Sequence, residues 1–114
     1  MKPETIFITR YVASHDACLP WYESVMGRPA DDQPMPSCRE WRLREGVLFQ
    51  LIEDAGQAGE TSIAFGVADL DVEVSRVREA GIDIDDPVPV GGFDTLRFTE
   101  LRDPEDVTVG LLDE

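Results

Sequence analysis

The stretch EGVLFQLIED at residues 45–54 decides the fold, because the similar stretch EDVTVGLLDE stands at residues 105–114. A second pair, VASHD at residues 12–16 and VADLD at residues 67–71, has nearly the same separation. Offsets of 60 and 55 residues in a chain of 114 residues indicate two copies of one structural unit. The repeat predicts a single domain over residues 1–114 that consists of two modules, at about 1–54 and 61–114.

The composition limits the classes of function. The chain has 24 acidic and 10 basic residues, with a formal net charge of −14, and clusters of Lys and Arg that bind phosphates are missing. No run approaches the roughly 20 apolar residues of a membrane span, and residues 1–4 lack the apolar stretch of a secretion signal. We therefore expect a cytoplasmic protein that binds neither nucleic acid nor membrane. Its acidity fits solubility or a salt-rich setting, or the attraction of a cationic ligand.

Hydrophobic periodicity and turn residues predict the same order of elements in both modules. A helix is predicted from a Ser14 N-cap to about Met26, with Gly27 as its stop, although Pro20 indicates a late or irregular start. A second helix is predicted at residues 70–80, after an Asp69 cap. The predicted strands lie at residues 5–12, 39–44, 47–53, 61–67, 95–101 and 107–112. Residues 29–36 and 85–92 are predicted loops, the first with room for a short strand.

Alternation sorts the side chains of each predicted strand between two faces. One face is uniformly apolar and is predicted to pack against the helices; it carries Ile6, Ile8, Val47, Phe49, Leu51, Ile63, Phe65, Val67, Val107, Val109 and Leu111. The other face mixes hydroxyls, an amide, small residues and aromatics. A two-residue Glu45-Gly46 turn would place Trp41 opposite Gln50 on this mixed face. The same counting places Thr99 opposite Gly110 and Arg97 opposite Leu112.

Three motifs resemble the vicinal oxygen chelate superfamily of glyoxalase, bleomycin-resistance proteins and extradiol dioxygenases. WYESVMG at residues 21–27 resembles the family's FYxxxLG helix end, and RDPED at residues 102–106 resembles its DPDGnxxEL ending. VADLD at residues 67–71 resembles the start of its second module. The resemblance covers nearly all residues and implies an α+β fold, in which two βαβββ modules form an open U-shaped mixed β-sheet with helices on the outer face. It also implies a homodimer.

The resemblance places four metal-ligand positions of the family at Phe7, Gln50, Ser62 and Gly110. Metal enzymes of the family carry His, Glu or Gln at these positions. Only Gln50 could bind a metal ion here, and one neutral amide oxygen does not hold a catalytic ion. We therefore expect no metal and no other cofactor.

Other catalytic groups are also predicted to lie away from the mixed face. The single histidine, His15, falls at a helix start, where a surface position is expected. Four acids that could act as acid or base are predicted to point away from Gln50; they are Glu40, Glu53, Glu60 and Glu100. Cys18 and Cys38 are expected to be reduced thiols.

The leading functional hypothesis is a metal-free small-molecule-binding protein that resembles the bleomycin-resistance branch of the superfamily. Its aromatic-lined hollow would stack and orient an organic ligand. The predicted ligand-binding residues are Phe7, Tyr11, Trp41, Gln50, Ser62, Arg97 and Thr99. The acidity of the chain favours a cationic ligand, whereas Arg97 would prefer an anion. Two alternatives stay open, namely a glyoxalase-like lyase, isomerase or dioxygenase, and a structural or regulatory dimer with a self-filled hollow.

Overall fold

The computed structural model of the protein describes residues 1–102, 104–105 and 107–113. Contacts between residues divide the chain into two compact units. The first unit is Phe7–Thr61, and the second unit is Met1–Ile6 together with Ser62–Glu114. The predicted modules differ from these units at the N-terminus, since residues 1–6 group with the second unit. None of the helices in the described residues is long and apolar enough to cross a membrane.

The two units have the same sequence of elements. The first contains β1 (Thr5–Val12, which begins in the residues of the second unit), α1 (His15–Met26), β2 (Asp32–Met35), β3 (Cys38–Arg44) and β4 (Val47–Glu53). The second contains β5 (Thr61–Val67, which begins at the last residue of the first unit), α2 (Leu70–Glu79), β6 (Val88–Pro89), β7 (Arg97–Arg102) and β8 (Thr108–Asp113).

The strand order also repeats between the units. It is β1-β4-β3-β2 in the first unit and β5-β8-β7-β6 in the second. β5 and β8 are parallel, whereas β7 pairs antiparallel with β8, and β6 pairs antiparallel with β7. Mixed strand directions combined with helices confirm the predicted α+β class, and the repeated order confirms the two βαβββ modules.

Local signals in the sequence set the ends of α1. The Ser14 hydroxyl accepts a hydrogen bond from the Ala17 N–H at 3.3 Å, and Gly27 ends the helix with a left-handed φ of 76°. Pro20 lies inside α1, so the predicted late start is wrong. The predicted loops at residues 29–36 and 85–92 contain the short strands β2 and β6.

A carboxylate at the end of the last strand holds the start of the helix in each unit. The His15 N–H donates to Glu53 Oε1 at 2.9 Å, and the Leu70 N–H donates to Asp113 Oδ1 at 3.3 Å. The first N–H groups of a helix lack partners within the helix, and negative charge is favourable there. Glu53 and Asp113 stand 60 positions apart in the sequence, so the repeat includes this contact.

Each unit has its own hydrophobic core. The core of the first unit contains Val12, Trp41 and Leu51, with Leu19, Tyr22, Met26 and Phe49 packed against them. The core of the second unit contains Val67, Leu70, Val74, Val77, Ile84 and Leu111. The prediction that the whole apolar face is covered is wrong, because Ile8 and Ile63 are 40% and 38% exposed.

The register of the first hairpin differs from the prediction by one residue. Arg44 pairs with Val47, which agrees with the predicted two-residue turn at Glu45-Gly46, but a bulge between Arg42 and Arg44 shifts the remaining pairs. Trp41 therefore lies opposite Phe49. Because a shift of one residue moves side chains to the other face, Trp41 belongs to the core face.

The second hairpin shows the same kind of shift. Thr99 lies opposite Leu111, and Glu100 lies opposite Gly110. The predicted pairing of Thr99 with Gly110 is therefore wrong. Asp103 and Asp106 of the RDPED motif, and Glu114 of the sequence repeat, lie outside the described residues.

Candidate functional site

Three strands of the first unit bring a threonine, a glutamine and a glutamate into one hydrogen-bonded group, which we call the polar cluster (Thr9, Gln50 and Glu40). The Thr9 hydroxyl donates to Gln50 Oε1 at 3.1 Å, and Gln50 Nε2 donates to Glu40 Oε2 at 2.7 Å. Glu40 lies directly opposite Gln50 in the β3–β4 ladder. The two bonds fix the orientation of the Gln50 amide and hold one oxygen of the Glu40 carboxylate.

The negative charge of Glu40 has no cationic partner within the described residues. The ion pairs formed there involve other carboxylates, namely those of Asp31, Asp32, Asp71, Glu73, Asp86 and Asp113. Glu40 and Gln50 are both half-buried, so water screens the carboxylate less than at an exposed position. The polar cluster therefore favours a ligand that carries hydrogen-bond donors or positive charge.

Two aromatic residues flank the polar cluster on β1. Phe7 and Tyr11 stand two positions before and after Thr9, so their side chains share its face of the strand. Both are half-buried. Of the predicted ligand-binding residues, the first unit thus brings Phe7, Tyr11 and Gln50 together.

Trp41 has a different place from the one predicted. Its side chain is 0% exposed, packs with Val12 and Leu51, and has its ring centroid 5.8 Å from that of Phe49. The indole N–H donates to the Arg28 carbonyl at 3.1 Å. The ring is therefore not accessible to a ligand, and Trp41 does not belong to the predicted aromatic lining.

Arg97 and Thr99 lie on the helix side of the second unit, which contradicts their predicted orientation. Arg97 donates from Nε to Asp113 at 2.9 Å, and from its two terminal nitrogens to Asp71 of α2 at 3.1 and 3.2 Å. The hydrogen bonds that Arg97 donates to Asp71 and then to Asp113 raise the pKa of Arg97. Thr99 is 3% exposed and donates to the Asp85 carbonyl at 2.6 Å. Ser62 lies half-buried on β5.

The positions that would bind a metal ion in the family do not fit one here. Both ends of the Gln50 amide already make hydrogen bonds within the polar cluster. At Gly110, an added Cβ would lie 2.8 Å from Phe98 Cε2 and 3.0 Å from the Ala64 Cβ, so a longer side chain has no room. The described residues contain no group of three or more His, Cys, Asp or Glu that could hold a metal ion.

Cys38 and His15, two side chains of types that can act in catalysis, are buried in the first unit. Burial, followed by the charge of Glu40, raises the pKa of the Cys38 thiol to about 12, although Arg39 acts in the opposite direction. A thiol with that pKa is not a nucleophile at neutral pH. His15 is 7% exposed and its Nε2 lies 2.9 Å from the Leu51 carbonyl oxygen, so the predicted surface position is wrong.

Sequence reasoning missed Thr9 and Glu40 as members of the site. Thr9 shares the predicted mixed face with Phe7 and Tyr11, two residues before and after it. The bulge in β3, which the prediction lacks, turns Glu40 onto the same face as Gln50. One signal was available, because Glu40 and Glu100 stand 60 positions apart, like the hairpin repeat itself. The structure places them opposite Gln50 and Gly110, which also stand 60 positions apart.

Many solved structures are similar to this protein, and three of them illustrate the likeness. A variant of methylmalonyl-CoA epimerase from Streptomyces coelicolor, in complex with 2-nitronate-propionyl-CoA, is 22% identical over 99% of both chains, with a TM-score of 0.67. A hypothetical protein from Bacillus halodurans C-125 is 21% identical over 99% of this chain and 94% of that chain, with a TM-score of 0.68. A glyoxalase/bleomycin resistance protein from Catenulispora acidiphila DSM 44928 is 24% identical over 96% and 97%, with a TM-score of 0.48. No protein-family model and no curated protein matches the sequence.

The epimerase matches both βαβββ units and nearly every residue of the chain. The chain has the vicinal oxygen chelate fold. The fold predicted from the sequence motifs is therefore confirmed. Proteins with the vicinal oxygen chelate fold differ in activity, so the ligand has to be argued from the side chains of the site.

Proposed function

We propose that this protein binds a small organic ligand without a metal ion and that the polar cluster anchors the ligand. The observation that supports this proposal is the Glu40 carboxylate, which is oriented by Gln50 and is not neutralised by a described cation. A protonated amine complements such a carboxylate, because it supplies both positive charge and hydrogen-bond donors. Phe7 and Tyr11 supply aromatic faces beside it, and the net charge of −14 attracts cations over a longer range.

A screen of organic amines and organic carboxylates by thermal shift tests this proposal. A ligand at a hundred times its Kd stabilises the protein by about 2.7 kcal/mol, which raises the unfolding temperature measurably. We expect amines to bind and carboxylates not to. Glu40→Gln should raise the Kd of a bound amine by roughly tenfold or more, since a charge-assisted hydrogen bond is lost.

The matched control is Glu45→Gln, which removes the same charge from the exposed turn after β3. It should leave the Kd unchanged within about twofold. Glu45 is exposed and stands five residues after Glu40, so salt and water screen its charge from a ligand at the polar cluster. Equal effects of the two variants would show that only the overall charge matters. A screen in which no amine binds would contradict the proposal and favour a structural or regulatory role. The ring of Phe98, which packs over Gly110, would then be an example of a side chain of this protein that occupies space a ligand could otherwise fill.

A second candidate function is proton transfer in an isomerase. It is favoured by the same Glu40 carboxylate, since a half-buried carboxylate with one oxygen held in place is a suitable general base. One of the similar structures is that of a methylmalonyl-CoA epimerase, whose name denotes an epimerisation of methylmalonyl-CoA. We expect this activity to appear as solvent deuterium in methylmalonyl-CoA, measured by NMR in D2O. Glu40→Gln should abolish the exchange, and exchange that survives the substitution would exclude Glu40 as the base.

The proposal also includes a homodimer in the cytoplasm. Trp21 and Val25 are 62% and 60% exposed and stand four residues apart, so they form an apolar strip on one face of α1. Exposed apolar surface of this kind is typical of protein interfaces. Light scattering should give twice the chain mass of 12.7 kDa, and Trp21→Glu should return the value to a single chain.

A further inference from the structure

Strand β3 has an edge that β2 covers only in part. β2 pairs with β3 at Met35–Cys38 and Asp32–Glu40, and the Asp31 N–H donates to the Glu40 carbonyl at 2.9 Å. Alternate residues of a strand direct their backbone groups to the same edge, so the N–H and C=O of Arg42 continue that edge beyond the end of β2. An uncovered edge of this kind is a template for pairing with another strand.

Two side chains take the place of the missing strand at Arg42. The Arg42 N–H donates to Asp31 Oδ2 at 2.7 Å, and Arg28 donates from a terminal nitrogen to the Arg42 carbonyl at 2.8 Å. Arg28 also donates to both oxygens of Asp31, at 3.3 and 3.0 Å. The Arg28–Asp31 pair therefore offers β3 the same donor and acceptor that a neighbouring strand would offer.

The core of the first unit fixes this pair in position. The Arg28 carbonyl accepts a hydrogen bond from the buried indole of Trp41, the residue before Arg42 in β3. The side chains of Arg28 and Asp31 remain 45% and 23% exposed. The contact is thus anchored from the inside and open to solvent on the outside.

We infer that the Arg28–Asp31 pair is a guard that prevents β3 from pairing with β3 of a second copy of this chain. A second copy is the partner that the charges favour. Arg28 and Arg42 balance Asp31 and Asp32 at this edge, and these residues form the ion pairs described there. The edge is therefore locally neutral in a chain of net charge −14, so two copies can approach here with little local repulsion. Leu43, which is 42% exposed beside the edge, adds apolar surface.

Association and amide exchange together test the guard. Asp31→Ala should lower the concentration at which mass above that of the parent appears in light scattering by roughly tenfold, because one edge hydrogen bond and the ion pair are lost. The matched control is Asp32→Ala, which removes the same charge and an ion pair to the Arg42 side chain but leaves the Arg42 backbone covered. It should behave like the parent.

Pairing through β3 can be separated from general aggregation. Arg42→Pro in the Asp31→Ala background removes the edge N–H, and proline is tolerated where the N–H of an edge strand faces outward. This double variant should return to the mass of the parent. Asp31→Asn, which retains an acceptor oxygen, should associate less than Asp31→Ala.

Hydrogen exchange provides a readout that does not depend on association. In dilute solution, the Arg42 amide of Asp31→Ala should exchange roughly tenfold faster than in the parent or in Asp32→Ala. Equal association of Asp31→Ala and Asp32→Ala would overturn the inference. So would an Arg42 amide that stays protected in Asp31→Ala, or faster exchange without any increase in association.

Discussion

At the scale of single residues, Trp41 joins two features of the first unit. Its ring fills the core beside Val12 and Leu51, and its N–H holds the carbonyl of Arg28. We predict that Trp41→Ala lowers the free energy of unfolding by about 3–5 kcal/mol, since it leaves a large cavity. Urea denaturation followed by circular dichroism measures the change.

The second tryptophan provides the control for Trp41. Trp21 is 62% exposed in the single chain, so Trp21→Ala should change the free energy of unfolding by less than about 0.5 kcal/mol when both proteins are dilute enough to be monomeric. Equal losses of stability in the two variants would contradict the burial of Trp41.

Gly110 is the residue at which the second unit has no spare room. A Cβ there would lie 2.8 Å from Phe98 Cε2 and 3.0 Å from the Ala64 Cβ. Gly110→Ala should therefore cost about 1–3 kcal/mol of stability through overpacking. In the Phe98→Ala background the same substitution should cost much less, and a double-mutant cycle from thermal unfolding measures this coupling. A cost that does not depend on Phe98 would show that the backbone at Gly110 is responsible.

At the scale of elements, the sequence predicts where the strands lie better than it predicts how they pair. The bounds of β1, β4 and β5 follow from β-branched runs between turn residues, because both signals are local. The pairing of Glu40 with Gln50 depends on a bulge between Arg42 and Arg44, and no residue type marks that bulge. One extra residue moved Trp41 from the predicted ligand-binding face into the core.

Asp31 gives the edge of β3 a predictable dependence on pH. Hydrogen bonds from Arg28 and then from the Arg42 backbone lower the pKa of Asp31 from its ordinary value of 3.8. A carboxyl group with a lowered pKa stabilises the fold above its unfolded pKa, and this contribution is lost as the pH falls through the folded value. The stability difference between the parent and Asp31→Asn should therefore shrink between about pH 5 and about pH 2.

Urea denaturation at a series of pH values measures this difference. Arg28→Ala removes the first cause of the lowered pKa of Asp31. In the Arg28→Ala background, the stability difference caused by Asp31→Asn should therefore depend much less on pH. A parent that keeps a constant advantage over Asp31→Asn across this range would contradict the role of the pair.

At the scale of the whole molecule, most of the fold that could be predicted follows from the sequence repeat. An offset of 55 to 60 residues gives two modules, and the structure adds that Glu53 and Asp113 cap the two helices in the same way. The site was predictable only in part. Phe7, Tyr11 and Gln50 lie on strands whose faces were assigned correctly, whereas Glu40 and Arg97 lie on strands whose register long-range pairing decides.

The charge of the chain should make its stability depend on salt. With a net charge of −14, repulsion among the carboxylates opposes the compact state. Raising NaCl from about 0.01 M to about 0.15 M shortens the screening length from roughly 30 Å to roughly 8 Å. The midpoint of thermal unfolding should rise by several degrees over this range. A variant with four exposed Asp→Asn substitutions should show a smaller rise, and an equal rise in both would exclude self-repulsion as the cause.

The unequal burial of the two tryptophans has a practical consequence for spectroscopy. Emission from Trp41 should be blue-shifted and change when the first unit unfolds. Emission from Trp21 should be red-shifted and accessible to quenchers in the monomer, and protected from them in the proposed dimer. The negative charge of the protein would repel iodide, so neutral acrylamide is the better quencher of Trp21. A Trp21→Phe protein would thus have a single tryptophan, and excitation at the red edge of the indole absorption would report on the folded core.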